Sequence, residues 1–184
     1  MNELPLGKKI ITSFIITLIS ILVFIGIGMG FAKIGIPIWP FVLFLLYFST
    51  IDAFDKSKLW QTAIGGLIGI TVAMSQGIVT ELTLNPGAGV AVFAILAIAV
   101  VTMFIMGNVP YVNIFTMILV ALMTAITFTP GNLAGFPGVE MNYIEAYIRV
   151  LSSYALGVVL FVIITNIMAK KAMNAQPTVE KIAE

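Results

Sequence analysis

The chain has 184 residues, is 60% hydrophobic and 9% charged, and carries a formal net charge of +1. Soluble domains average about 25% charged residues, so this composition, with a mean hydropathy of +1.13, excludes an ordinary water-soluble globule. It offers no case for nucleic acid, and the absence of cysteine and histidine removes disulfides, thiolate chemistry, Cys or His metal sites and the commonest general base.

Six apolar segments are expected, and together they predict an all-α membrane protein with a single transmembrane domain. The first runs from about Ile10 to Ala32. Lys8 and Lys9 precede it, as in a signal peptide, but its apolar core exceeds the roughly 7–15 residues of such a region and no Ala-x-Ala site follows. A retained span is the expectation. The second runs from about Pro37 to Ile51 and is short. Pro37 and Pro40 near its start fit either a tilted or broken helix, or prolines placed harmlessly in a first turn. The third runs from about Trp60 to Thr80, and the fourth from Ala88 to Met106. The fifth runs from Pro110 to Thr127, and the sixth from Ile144 to Ala169, before a short tail at 171–184.

Charge sets an orientation. With six spans, Lys8, Lys9, Lys56, Lys58, Lys170, Lys171 and Lys181 share one side, against Lys33 and Arg149 on the other. Short loops rich in lysine stay inside, so both termini are expected in the cytoplasm of a multi-pass inner (plasma) membrane protein. Trp39, Trp60, Tyr143 and Tyr147 fall near span ends, where amphipathic rings prefer the headgroup level.

The two halves, about 9–81 and 88–170, resemble each other. Gly35-Ile36-Pro37 joins the first two spans, and Gly107-Asn108-Val109-Pro110 joins the fourth and fifth. Tyr47-Phe48-Ser49-Thr50 ends the second span, and Thr127-Phe128-Thr129-Pro130 ends the fifth. Glycines follow in both third spans, at Gly65, Gly66 and Gly69 and at Gly157. Three spans per half invert the second copy, so the pattern predicts two three-helix inverted-topology repeats. Chance likeness between apolar segments is the competing explanation. The second half carries extra residues within Phe128 to Gly138, a stretch of glycines and prolines suited to an entrance cover or to a plain connection.

In such folds the solute path runs between the halves, where short helices free backbone groups to replace water. No Asp, Glu, Lys or Arg lies in the middle of any span, which argues against a carboxylate-driven pump and favours a solute without strong charge. The expected function is a channel or facilitator for a small neutral or weakly charged solute. Phe48, Ser49 and Thr50 are expected to meet Phe128, Thr129 and Asn132 around a constriction, with Asn113, Thr116 and Thr124 along the path. Asp52, Glu145 and Arg149 are mouth or gate candidates, although Asp52 reads first as a solvated loop residue and the Glu145–Arg149 pair first as a structural anchor. Most Ser and Thr in spans bond to their own helix, so each hydroxyl taken singly has a structural explanation. Secondary transport with alternating access and a non-transporting membrane scaffold or subunit are the alternatives. No catalytic set, cofactor or metal is expected. Besides the lipid bilayer and the solute, the expected partner is a second copy, because Gly26 to Gly30 and Gly65 to Gly69 are spaced for close helix approach.

Tyr47-Phe48-Ser49, Thr127-Phe128-Thr129 and Ala155-Leu156-Gly157, in this order, resemble a family of small uncharacterised bacterial inner-membrane proteins typified by YcdZ. The likeness covers about Pro37 to Asn166. It implies a six-span membrane protein and no established activity. The Pro130-to-Gly138 insertion departs from that pattern, so the resemblance carries no substrate over to this chain.

Overall fold

The computed structural model describes residues 6–52, 55–129, 132–133, 135 and 141–175. Six helices follow in chain order: α1 (Leu6–Lys33), α2 (Trp39–Thr50), α3 (Leu59–Thr83), α4 (Pro86–Met106), α5 (Ile114–Thr127) and α6 (Tyr143–Ala175). Between α5 and α6, β1 (Phe128–Thr129) pairs antiparallel with β2 (Asn132–Leu133). Four helices, α1, α3, α4 and α6, are long and apolar enough to cross a membrane. The other two are apolar but short. At 1.5 Å per residue, α2 is about 18 Å long and α5 about 21 Å, against a hydrocarbon core of about 30 Å.

Local chemistry explains the boundaries. Pro40 sits in the first turn of α2, where its missing N–H costs nothing, and Pro37 lies in the joint before it. α2 is therefore continuous from Trp39 to Thr50, and of the two prolines only Pro40 takes the first-turn place. The chain turns from α1 into α2 through Gly35, whose φ of +66° suits a residue without a Cβ. Asn85 caps α4 by accepting from the N–H groups of Gly87 and Ala88 at 3.0 and 3.4 Å. Asn113 caps α5 through the Thr116 N–H at 3.1 Å, so α5 starts at Ile114 and not at Pro110. Asn142 caps α6 through the Glu145 N–H. Each cap satisfies N–H groups that have no partner inside the helix.

Contacts give the directions. A Cβ on Gly65 would strike the Asn113 carbonyl, and one on Gly69 the Met117 carbonyl, so α3 and α5 run side by side in the same sense. Phe41 lies against Gly157 and Phe48 against Phe161, so α2 and α6 also run alike. Tyr154 lies over Gly66 and Tyr143 over Gly77, so α3 and α6 run opposite ways. Gly89 of α4 seats against Gln76 and Thr80, near the end of α3. These approaches build one core of Phe44, Phe48, Ile70, Val120, Val150, Tyr154 and Phe161.

α1 does not fold back along α2 despite the short joint between them. It packs along none of the other helices, and only its last turns touch α2, through Phe31 on Phe41 at 5.2 Å between ring centres. No residue of its apolar window is buried.

Candidate functional site

Polar groups gather at the end of the bundle where α2 stops and α3 begins, termed the Lys56 end. The Tyr47 hydroxyl of α2 and the Asn113 amide of α5 hydrogen-bond reciprocally, at 3.0 and 3.2 Å. The Asn113 backbone N–H donates to the Gln61 carbonyl of α3 at 3.0 Å. The Thr62 hydroxyl donates to the Asp52 carboxylate, and the Thr62 carbonyl accepts from the Tyr154 hydroxyl at 2.9 Å. Lys56 donates to Asn166 of α6 at 2.8 Å. These bonds tie helices of the first half to helices of the second.

Asp52 is the unusual member. It is 4% exposed, against the expectation of a solvated loop residue. Thr62 is its hydrogen-bond donor, and no basic side chain among the described residues forms an ion pair with it. Asp55, three residues on, is its opposite. It is exposed, and the Ser57 hydroxyl and then the Ser57 N–H hold its carboxyl below the usual range.

The expected constriction is not assembled as drawn. Phe48 is fully buried and packs on Phe44 and on Phe161, with 5.0 Å between the ring centres of the last pair. Phe128 is equally buried, but it packs on Tyr143 at 6.2 Å. Tyr143 and Phe161 are about five turns apart on α6, roughly 27 Å of helix. The two phenylalanines therefore hold opposite ends of the core. Ser49 bonds back to the Leu46 carbonyl. Thr129 pairs with Asn132 in the small hairpin, at the Phe128 end. The side chains of Thr50 and Asn132, and most of the loop 130–138, lie outside the described residues.

Thr124 follows the structural explanation, donating to the Val120 carbonyl at 2.7 Å. Thr116 does not. It is 1% exposed and its hydroxyl has no partner among the described residues, because this close to the start of α5 the carbonyl one turn back does not lie in the helix. Glu145 and Arg149 pair with each other, and Arg149 also donates to the Gly35 carbonyl. That anchors α6 to the α1–α2 joint.

Tyr47, Thr62 and Tyr154 escaped the sequence reading. Their signal was present: a tyrosine inside an apolar run needs a hydroxyl partner, and Gly66 supplies the seat for the Tyr154 ring.

Two cavities flank this core. One, about 250 Å³, is an apolar groove among α3, α4 and α5, with Val72, Phe93, Ala97, Met117 and Ala121 in its wall. The other, about 170 Å³, lies at the α1–α2 joint beside Pro37, Trp39 and Gly135. α6 lines neither of them; the first lies between α3 of the first half and α4 and α5 of the second, and Thr102 is the one polar residue in its wall. Comparisons with protein-family models, with curated proteins and with solved structures returned no match.

Proposed function

We propose that the protein is a membrane channel or facilitator for a small neutral or weakly charged solute, built from two inverted three-helix halves and closed in this conformation. One observation carries the reading. The short α2 of the first half lies along the long α6 of the second, and the short α5 of the second half lies along the long α3 of the first. Both pairs run in the same sense, which is the arrangement two inverted copies adopt about a pseudo-two-fold axis. Neither short helix reaches across a bilayer by itself, so helix ends lie inside the bundle where backbone groups can meet a solute. The path follows the seam between the pairs and is blocked by Phe44, Phe48, Tyr154 and Phe161.

The seven-to-two division of basic residues places both termini in the cytoplasm of a plasma membrane, with the Lys56 end facing inward. Association of copies through the bare apolar surfaces of α1 and α4, and kinship with the YcdZ-typified family, belong to the same proposal.

Purified protein in liposomes, followed by light scattering after a shock with glycerol or urea, tests it. Wild-type vesicles should re-swell faster than protein-free ones, and Phe48→Ala should be faster still. Saturable, ion-dependent uptake would select alternating access. The dense aromatic filling of the seam favours a second reading, a non-transporting membrane subunit. Absence of flux from both the wild type and Phe48→Ala would select that.

A further inference from the structure

We infer that Asp52 sets the selectivity of this path, and that the preferred solute is a small hydrogen-bond-donating organic cation of the alkylammonium class. The inference rests on the channel reading above and shifts its solute from a neutral or weakly charged molecule to a cation. A carboxylate removed from water demands a partner cation or several donors. Asp52 is buried with the neutral Thr62 hydroxyl as its donor and with no ion pair to any described residue. Lys56, the nearest basic residue in sequence, is turned to Asn166. The carboxylate thus has no counter-charge among the described residues.

Its surroundings point inward. From Asp52 the hydrogen bonds lead through the Thr62 hydroxyl and carbonyl to Tyr154. The Tyr154 ring lies edge-on to Phe44 at 5.2 Å, and Phe44 and Phe48 both meet Phe161. A carboxylate followed by aromatic rings is the chemistry that recognises an ammonium group, by charge at the first and by cation–π attraction at the second. A metal ion fits poorly. Hard cations take six or more oxygens, and no group of three Asp, Glu, His or Cys occurs among the described residues. An anion would meet the carboxylate first and be repelled.

The test compares wild type with Asp52→Asn, which keeps an acceptor for Thr62 while removing the charge. Liposome flux is measured with methylammonium, at mildly acidic pH to keep the free amine scarce, and with glycerol. Methylammonium flux should fall about tenfold, because hydrogen bonds to a charged group are roughly twice as strong as neutral ones, while glycerol flux changes little. In detergent, methylammonium should raise the thermal midpoint of the wild type above that in matched sodium chloride. This arm needs no variant, so it stands if Asp52→Asn fails to fold. Equal methylammonium flux above the protein-free background in both proteins, or no thermal shift in the wild type, overturns the inference. If neither solute crosses but methylammonium still stabilises the wild type and not Asp52→Asn, the ammonium site holds and the channel reading falls.

Discussion

α1 and α3 carry the same spacing of small residues, Gly26 to Gly30 and Gly65 to Gly69, and use it differently. On α3, both glycines meet the backbone of α5: a Cβ at Gly69 would crowd the Met117 carbonyl and come within 2.9 Å of the Ala121 nitrogen. On α1, a Cβ at Gly26 or Gly30 would meet nothing within 4 Å. The same four-residue repeat therefore permits close approach without creating it. α3 lies among α4, α5 and α6, and α1 has no helix beside it. A small-residue face becomes an interface only when topology delivers a partner.

The largest expected effect is at Gly69. Gly69→Ala forces two backbones apart, and overpacking of a filled core costs about 1–3 kcal/mol. The thermal midpoint in detergent should fall clearly, and an unchanged midpoint would mean that α3 and α5 are not seated as described. Gly66→Ala comes next. The obstacle there is the Tyr154 ring, a side chain that can swing aside, so the loss should be smaller than at Gly69 by the same assay. Asn85→Ala is milder again, at about 1 kcal/mol for a lost helix cap. Its fall in midpoint should leave α3–α5 contacts intact, which cysteine crosslinking between the two helices would check.

Gly26→Ala and Gly30→Ala should not destabilise at all. Alanine is a better helix former by about 1 kcal/mol, so the midpoint should hold or rise slightly. A fall that grows with dilution of the protein would instead reveal a second copy on this face. That result would turn the open glycines of α1 into the counterpart of the closed ones on α3.

Much of this fold was legible because helix formation in an apolar chain is a local matter. Long uncharged runs located all six helices, and caps such as Asn113 and turn formers such as Gly35 moved their boundaries by only a few residues. The candidate site was less legible. Phe48 and Phe128 end equivalent segments, and their twin motifs suggested a meeting. Instead, Phe161 and Tyr143 hold them far apart on α6. Asp52 looked solvated because its neighbours Asp55, Lys56 and Lys58 are charged. Its burial depends on Thr62, ten residues away on the next helix.

By itself, the sequence determined that this is an apolar helical chain with six segments and almost no charge inside them. Those properties follow from composition and from spacing along one strand of backbone. Tertiary structure alone decided that α1 stands apart, that the short helices cross over to the long helices of the other half, and that one carboxylate goes inside. Each of those outcomes depends on a surface contributed by a distant segment, and its direction and closeness are set where two helices meet.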